Sequence, residues 1–204
     1  MRLTPLRSRP VGFGGGEPGR PRLAVVASAG GAAALIVGAL IAQGRQRAGY
    51  DASAESVSVL AAADTAHRWT MTVAFALAGL GLVVTSVALP GMIRRARAVL
   101  ALAGSATLAA AALPLPSASV PGWAHLAAAS VALVALAVWP WIAARDDAHP
   151  TLRPGVVRLV SPVLFALVAT LPVTARLGAG YGTHERIALV ALVIWPVVVA
   201  VDAW

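Results

Sequence analysis

The sequence predicts an all-α integral membrane protein, a bundle of six transmembrane helices with both termini in the cytoplasm. Three observations support this prediction: the composition, six separate apolar segments, and an uneven distribution of arginine. Hydrophobic residues make up 59% of the 204 residues and charged residues only 12%, whereas a soluble domain has about 45–50% and about 25%. A chain of this composition needs lipid around much of its surface.

The charge and the lack of cysteine narrow the class of function further. The formal net charge is +8, carried by sixteen arginines and no lysine. The arginines stand in short segments between apolar runs, where they orient helices, so we predict no nucleic-acid partner. The absence of cysteine excludes disulfides, thiolate catalysis and Cys-ligated metals. Arginine without lysine, together with heavy use of alanine, is typical of a GC-rich bacterial genome.

The N-terminal region divides into a tail and a first span. Residues 1–22 hold five arginines among proline and glycine, which predicts a disordered cytoplasmic tail. The membrane domain is then 23–204. Its first apolar run, 23–43, is longer than the ~7–15 residues of a signal-peptide core, so we interpret it as an uncleaved span. A stripe of small residues within 30–42 predicts close helix packing.

Five more apolar segments complete the predicted bundle. The polar segment 44–68 forms the largest loop and leads into the second span at Trp69. The third run is short for a bilayer, and we expect it to gain length from the arginines before it. The predicted spans two to six are 69–90, 98–113, 123–144, 156–174 and 187–204.

The arginines predict the orientation. With a cytoplasmic N-terminus, eleven arginines fall on the cytoplasmic side and five on the outer side, as the positive-inside rule requires. Trp69 and Trp123 then lie at the outer interface, and Trp141 and Trp204 at the inner one. The segment 44–68 becomes an outer loop, and we expect the bacterial plasma membrane as the location.

Ionisable side chains gather at the predicted outer ends of the helices. Three histidines stand at the starts of even-numbered spans, and three other charged residues are their neighbours in sequence. One interpretation is that these groups pair with each other and with loop backbone to hold the helix ends together. Another is that they line an outward-facing pocket for a lipid headgroup or small ligand. The residues are His67, His125, His184, Asp64, Glu185 and Arg186.

A third hypothesis makes the same group an enzyme site. Three neutral imidazoles can hold zinc and leave a fourth position for water, so His67, His125 and His184 would serve an outer-leaflet, metal-dependent hydrolase with Asp64 or Glu185 as general base. No HExxH pair, serine-nucleophile motif or phosphate-binding glycine loop accompanies them. We therefore expect a non-enzymatic protein without a cofactor, and keep the hydrolase as the alternative.

Three stretches of the chain also resemble a known family. In order, the sequence contains AGYDASAESVSVLAAADTAHRWTM, GWAHLAAASVALVALAVWP and YGTHERIALVALVIWP. They resemble bacterial membrane proteins of the domain of unknown function 998 family over about 24–204. The resemblance implies a six-helix bundle and no established activity. A more distant likeness to six-span proteins linked to lipid handling favours membrane lipids as partners. The oligomeric state stays open.

Overall fold

The computed structural model describes residues 20–46, 49–147, 149–178 and 180–204, and within these ranges the chain is helical and forms no β-strand. The all-α prediction is confirmed. Of the predicted tail, 1–22, only Arg20 to Arg22 are described, and they form the first turn of α1. The α-helices are α1 Arg20–Gly44, α2 Arg68–Ala88, α3 Arg94–Ala112, α4 Trp123–Ala143, α5 Pro154–Ala169, α6 Leu171–Leu177 and α7 Tyr181–Asp202.

The helices have the length and composition of a multi-pass membrane protein. Five of them are long and apolar enough to cross a membrane: Arg20–Gly44, Arg68–Ala88, Trp123–Ala143, Pro154–Leu177 and Tyr181–Asp202. The fourth combines α5 and α6, which Thr170 separates. Helix α3, whose first turn contains three arginines, does not meet the same requirement.

The helices form an antiparallel ring. Consecutive helices pack side by side from α1 to α5, and α7 returns to lie against α5 and α1. Helices α2, α4 and α7 all start at one end of the bundle. The segment 49–67, which we call the cap, covers this end, and we call it the cap end. The described chain begins and finishes at the other end, the far end.

Small residues determine how closely the first three helices pack. A Cβ added to Gly79 of α2 would lie 2.7 Å from the carbonyl oxygen of Gly104 of α3, and one added to Gly38 would lie 2.4 Å from the Cβ of Ala74. The backbones therefore approach closely, as small residues allow between helices in lipid. Gly30, by contrast, has open space beside it, so only part of the predicted small-residue stripe is used, and it packs within the bundle.

Arg97 explains why α3 starts before the predicted third span, 98–113. Its guanidinium donates to the backbone oxygens of Ser86, Val87 and Leu89, and its Nε to that of Met92. The last carbonyls of a helix have no partner within that helix. The arginine segment forms the first turn of α3, and the Arg97 side chain points back to donate hydrogen bonds to the free carbonyl groups at the end of α2.

A second contact at the far end joins the loop after α4 to α7. The Oδ2 atom of Asp202 accepts hydrogen bonds from the backbone nitrogen of Thr151 at 3.0 Å and from its hydroxyl at 2.8 Å. Thr151 lies in the short 3-10 helix Pro150–Leu152. The acid near the end of the chain thus holds a loop in place.

Candidate functional site

The cap is a folded segment that lies across the helix ends. Its central 3-10 helix, Val57–Ala61, buries Val57, Leu60 and Ala61 against the bundle. Nearer its start, the carboxylate of Asp51 accepts hydrogen bonds from the hydroxyl and the backbone nitrogen of Ser53, and these bonds lower the pKa of Asp51. The predicted outer loop therefore has a defined structure of its own.

Glu185 holds the cap through the cap's hydrogen-bond donors. The residue lies in the second turn of α7 and is 8% exposed. One carboxylate oxygen accepts the backbone N–H of Val57 at 2.6 Å, and the other accepts the hydroxyl of Ser56 at 2.9 Å. A buried carboxylate without such partners would be strongly unfavourable. The two hydrogen bonds therefore stabilise the buried side chain and hold the cap in place.

Arg186, the next residue, holds the cap through the cap's acceptors. Its Nη1 donates to the backbone oxygens of Ala52 at 2.7 Å and Glu55 at 2.9 Å, and its Nη2 donates to the phenol oxygen of Tyr50. Burial raises the pKa of Tyr50, and the Arg186 guanidinium beside it offsets part of that shift. The adjacent side chains of Glu185 and Arg186 thus bind hydrogen-bond donors and hydrogen-bond acceptors of the cap, respectively.

Gly182 allows the cap to approach the start of α7. A Cβ at this position would lie 2.3 Å from the carbonyl oxygen of Glu55 and 2.5 Å from that of Ala52. The backbone nitrogen of Thr183 donates to the carbonyl of Ser53 at 3.1 Å. Helix α7 accordingly begins at Tyr181, well before the predicted span 187–204, because its first turns bind the cap.

His125 joins the cap to α3 and α4. The residue is 1% exposed, and its Nδ1 lies 3.0 Å from the backbone oxygens of both Ala110 and Leu113. Carbonyl oxygens only accept, so we assign the ring proton to Nδ1. The Nε2 atom, 2.9 Å from the hydroxyl of Ser58, then accepts a hydrogen bond from that hydroxyl.

A small cavity lies beneath the cap, between the cap and α2, α3, α4 and α7. Its volume is about 50 Å³, which is enough for water. Its polar wall consists of Ser58, Thr107, His125 and Glu185. The structure therefore brings two of the six predicted site residues, His125 and Glu185, to one cavity.

The other predicted residues lie at the same end with separate partners. The Nε2 atom of His184 lies 2.9 Å from the carbonyl oxygen of Leu167 and 3.0 Å from the hydroxyl of Thr170, at the break between α5 and α6. His67 is exposed, with φ of 61°, just before α2. Asp64 accepts a hydrogen bond from the backbone nitrogen of Ala118 at 3.1 Å.

The three histidines do not meet at a metal site. Throughout the part of the chain that the structure describes, no three His, Cys, Asp or Glu side chains form a group that could hold a metal ion. The zinc hypothesis, with His67, His125 and His184 as ligands, therefore lacks its geometry. The rings of His125 and His184 instead bind nearby backbone and hydroxyl oxygens, and His67 is exposed.

Arg186 also stands at the end of an apolar groove between α1 and α7. The groove has a volume of about 120 Å³, and among the described residues that line it only Arg186 and Gln43 have charged or amide side chains. Leucine, isoleucine and valine side chains of both helices make up most of its walls. Leu40 and Val190 on those walls are 63% and 41% exposed, so the groove opens on the side of the bundle.

A further depression lies on the outer face of the cap. It measures about 260 Å³, and polar side chains line it, among them Gln46, Tyr50, Glu55 and Asp64. Tyr50, Ser56, Ser58 and Gly182 take part in the contacts of the cap but were not predicted as site residues. Small polar residues and glycine are common in loops, so no pattern in the sequence indicated these contacts.

Comparison with protein-family models places most of the chain in one family. Residues 28–202 match the model described as Protein of unknown function (DUF998). No curated protein and no solved structure matches the chain. The family match agrees with the resemblance carried by the cap sequence, the histidine at the start of α4 and the turn before α7. Because it covers far more than half of the sequence, the chain belongs to the DUF998 family of proteins of unknown function.

Proposed function

We propose that this protein spans the bacterial plasma membrane six times, with both termini in the cytoplasm, and that it binds a membrane lipid at its cap end without catalysing a reaction. Helix α3 supplies the sixth span in this proposal. It has 19 residues, about 28 Å of helix, and it packs between α2 and α4. Its arginines would then lie at the membrane surface, where long side chains extend toward water.

The distribution of arginine supports the proposed orientation. Arginines of the described chain are more frequent at the far end, and an excess of positive charge is typical of the cytoplasmic side. The far end has Arg20, Arg22, Arg94, Arg95, Arg97, Arg145, Arg153 and Arg158, and the cap end has Arg45, Arg68, Arg176 and Arg186.

The groove between α1 and α7 is the observation that carries the proposed lipid binding. Its apolar walls suit an acyl chain, and its opening faces the surroundings of the bundle. Arg186 stands at the polar end, and within the described ranges it makes no salt bridge and its Nε makes no hydrogen bond. Guanidinium groups bind phosphate well. We therefore propose a phospholipid with one chain in the groove and its phosphate toward Arg186.

The non-enzymatic part of the proposal rests on the use of His125. Both of its ring nitrogens already have partners, and its cavity of about 50 Å³ holds little more than water. A lipid ester cannot enter such a space. His125 instead supports the cap beside the groove.

The topology can be tested by cysteine labelling, because the chain has no cysteine. Ala63→Cys places a thiol on the exposed side of the cap, and Asp146→Cys places one at the far end. With a membrane-impermeant maleimide and intact cells, we expect the first variant to react and the second to react only after permeabilisation. The reverse pattern, or equal labelling, would overturn the proposed orientation.

Lipid binding can be tested by mass spectrometry of lipid that co-purifies in mild detergent. We expect the wild-type protein to retain phospholipid, and both Arg186→Gln and Ala39→Phe, which fills the groove, to lose most of it. Ser130→Phe is the matched control, since Ser130 lines a groove of about 390 Å³ between α3 and α4 whose described lining residues are all uncharged. Equal lipid in Ala39→Phe and Ser130→Phe would contradict the proposal.

A further inference from the structure

We infer that the cavity beneath the cap is a binding site for a small monovalent cation, either an alkali-metal ion or ammonium. This site is distinct from the proposed lipid groove, since the two share only Leu189 among their lining residues. The inference follows from which hydrogen-bonding groups the cavity wall still offers. It does not depend on lipid binding.

The hydrogen atoms of the polar wall are directed away from the cavity. The Nδ1–H of His125 points at two backbone oxygens, and its Nε2 accepts a hydrogen bond from the Ser58 hydroxyl. The hydroxyl of Thr107 donates to the carbonyl oxygen of Ala103 at 2.8 Å. Each hydroxyl has one proton to donate, so Ser58 and Thr107 have only oxygen lone pairs left to offer.

Glu185 adds a negative charge to the same wall. Its carboxylate accepts two hydrogen bonds from the cap, which leaves lone pairs on both oxygens. Within the described residues it forms no salt bridge, because the guanidinium of the adjacent Arg186 is directed at the cap's backbone oxygens. The cavity therefore presents acceptors and a carboxylate, and its occupant must supply positive charge or donated hydrogens.

The chemistry of the wall selects among cations. Carboxylate and hydroxyl oxygens suit hard ions, whereas imidazole and thiolate suit transition metals. There is one carboxylate, and the described chain contains no cluster of three His, Cys, Asp or Glu residues, so the wall offers too little charge for a divalent metal. A volume of about 50 Å³ admits a small ion with a water molecule and excludes large organic amines.

The test is thermal unfolding of the full chain in lipid nanodiscs, at constant ionic strength, with different chloride salts. We compare sodium, potassium and ammonium, each at about 200 mM, with the bulky cation N-methylglucamine. Binding to the folded state should raise Tm by about 3 °C for at least one small cation. The cation with the largest shift identifies the occupant as an alkali-metal ion or as ammonium.

Two variants and one control assign the shift to this cavity. Glu185→Gln should abolish it, and Thr107→Val, which removes a hydroxyl bonded to Ala103 of its own helix, should reduce it by at least half. Asp202→Asn makes the same acid-to-amide change on α7 at the far end and should keep the full shift. Equal Tm in all four salts, or an undiminished shift in both Glu185→Gln and Thr107→Val, would overturn the inference. If Glu185→Gln does not fold, Thr107→Val decides alone.

Discussion

Helix α7 carries one acidic side chain near each of its ends, and both bind a loop in the same way. At the cap end, Glu185 accepts a serine hydroxyl and the backbone N–H of Val57. At the far end, Asp202 accepts the hydroxyl and the backbone N–H of Thr151. Each acid therefore accepts hydrogen bonds from a loop and holds that loop against α7.

Each end also has an arginine that binds neutral oxygen atoms. Arg186 donates to carbonyl groups of the cap and of α7 and to the hydroxyl of Tyr50. Arg97 donates to four carbonyl groups around the end of α2. At each end of the bundle, one acidic side chain and one arginine therefore bind the polar groups of a loop or a helix end.

The two ends differ in burial and in what lies beside the acid. Glu185 is 8% exposed and lines a cavity with His125, whereas Asp202 is only half-buried. The polar contacts found at both ends hold loops in place, which is a structural role. Only the cap end also has the cavity lined by His125, so we look for function there.

The largest expected effect comes from removing each acid in turn. Glu185→Ala leaves the N–H of Val57 buried and unpaired, and we expect the free energy of unfolding to fall by about 3 kcal/mol. Asp202→Ala leaves groups that water can reach, and we expect a loss of about 1 kcal/mol. Unfolding in mixed detergent micelles measures both values. Equal losses would show that burial does not distinguish the two ends.

The next effect concerns the close contact between the cap and α7. In Gly182→Ala the new methyl group meets two carbonyl oxygens of the cap, and the resulting overpacking should cost about 2 kcal/mol and lift the cap. The thiol of a Val57→Cys background, buried in the wild type, reports this by faster maleimide labelling.

Gly155→Ala is the matched control at the far end, because a Cβ there has nothing within 4 Å. We expect its labelling rate to equal that of the parent. If labelling were also slow in Gly182→Ala, the cap would accommodate the new methyl group without lifting from α7, contrary to what the contact distances indicate.

A smaller effect, of similar size at both ends, is expected for the arginines. Arg186→Gln and Arg97→Gln each leave backbone oxygens without a donor, but both side chains are partly exposed and water can replace them. We expect each change to lower the free energy of unfolding by about 1–2 kcal/mol. A loss at one end only would show that the two arginines do not have equivalent structural roles.

The fold was predictable because lipid imposes a simple pattern on the sequence. Apolar runs long enough to cross a membrane are visible without tertiary information, and the observed helices follow them. Helices α3 and α7 start before the predicted spans 98–113 and 187–204, and for α3 an extension into the arginines was expected. In both helices arginine or glutamate side chains lie inside the first turns because they bind a neighbouring segment, and the sequence does not show which segment that is.

The candidate site was predictable only in part. His125 and Glu185 were placed at the same end of the bundle from sequence, and they share a cavity. Whether all three histidines converge depends on the direction in which each ring points. That direction is set by the hydrogen-bond partners near the ring, which the spacing of the helices does not predict. The role of Ser58 likewise depends on a contact with His125 across 67 positions of sequence.

The smallest expected effect tests whether the rim of the cap adds to the difference between the ends. Hydrogen bonds from Ser53 lower the pKa of Asp51 in the folded protein, so its contribution to stability is present above about pH 4, the usual value for an unfolded aspartate, and is lost as the pH falls through the lowered folded value. Ser53→Ala removes the hydroxyl bond. At about pH 6 its Tm should therefore lie slightly below that of the wild type, and the gap should narrow as the pH falls below about 4 and through the lowered folded value. Ser53→Ala leaves every carboxylate of the chain in place, so the difference in Tm reports the bond between Ser53 and Asp51. A gap that persists at low pH would mean that Ser53 stabilises the cap without the charge of Asp51.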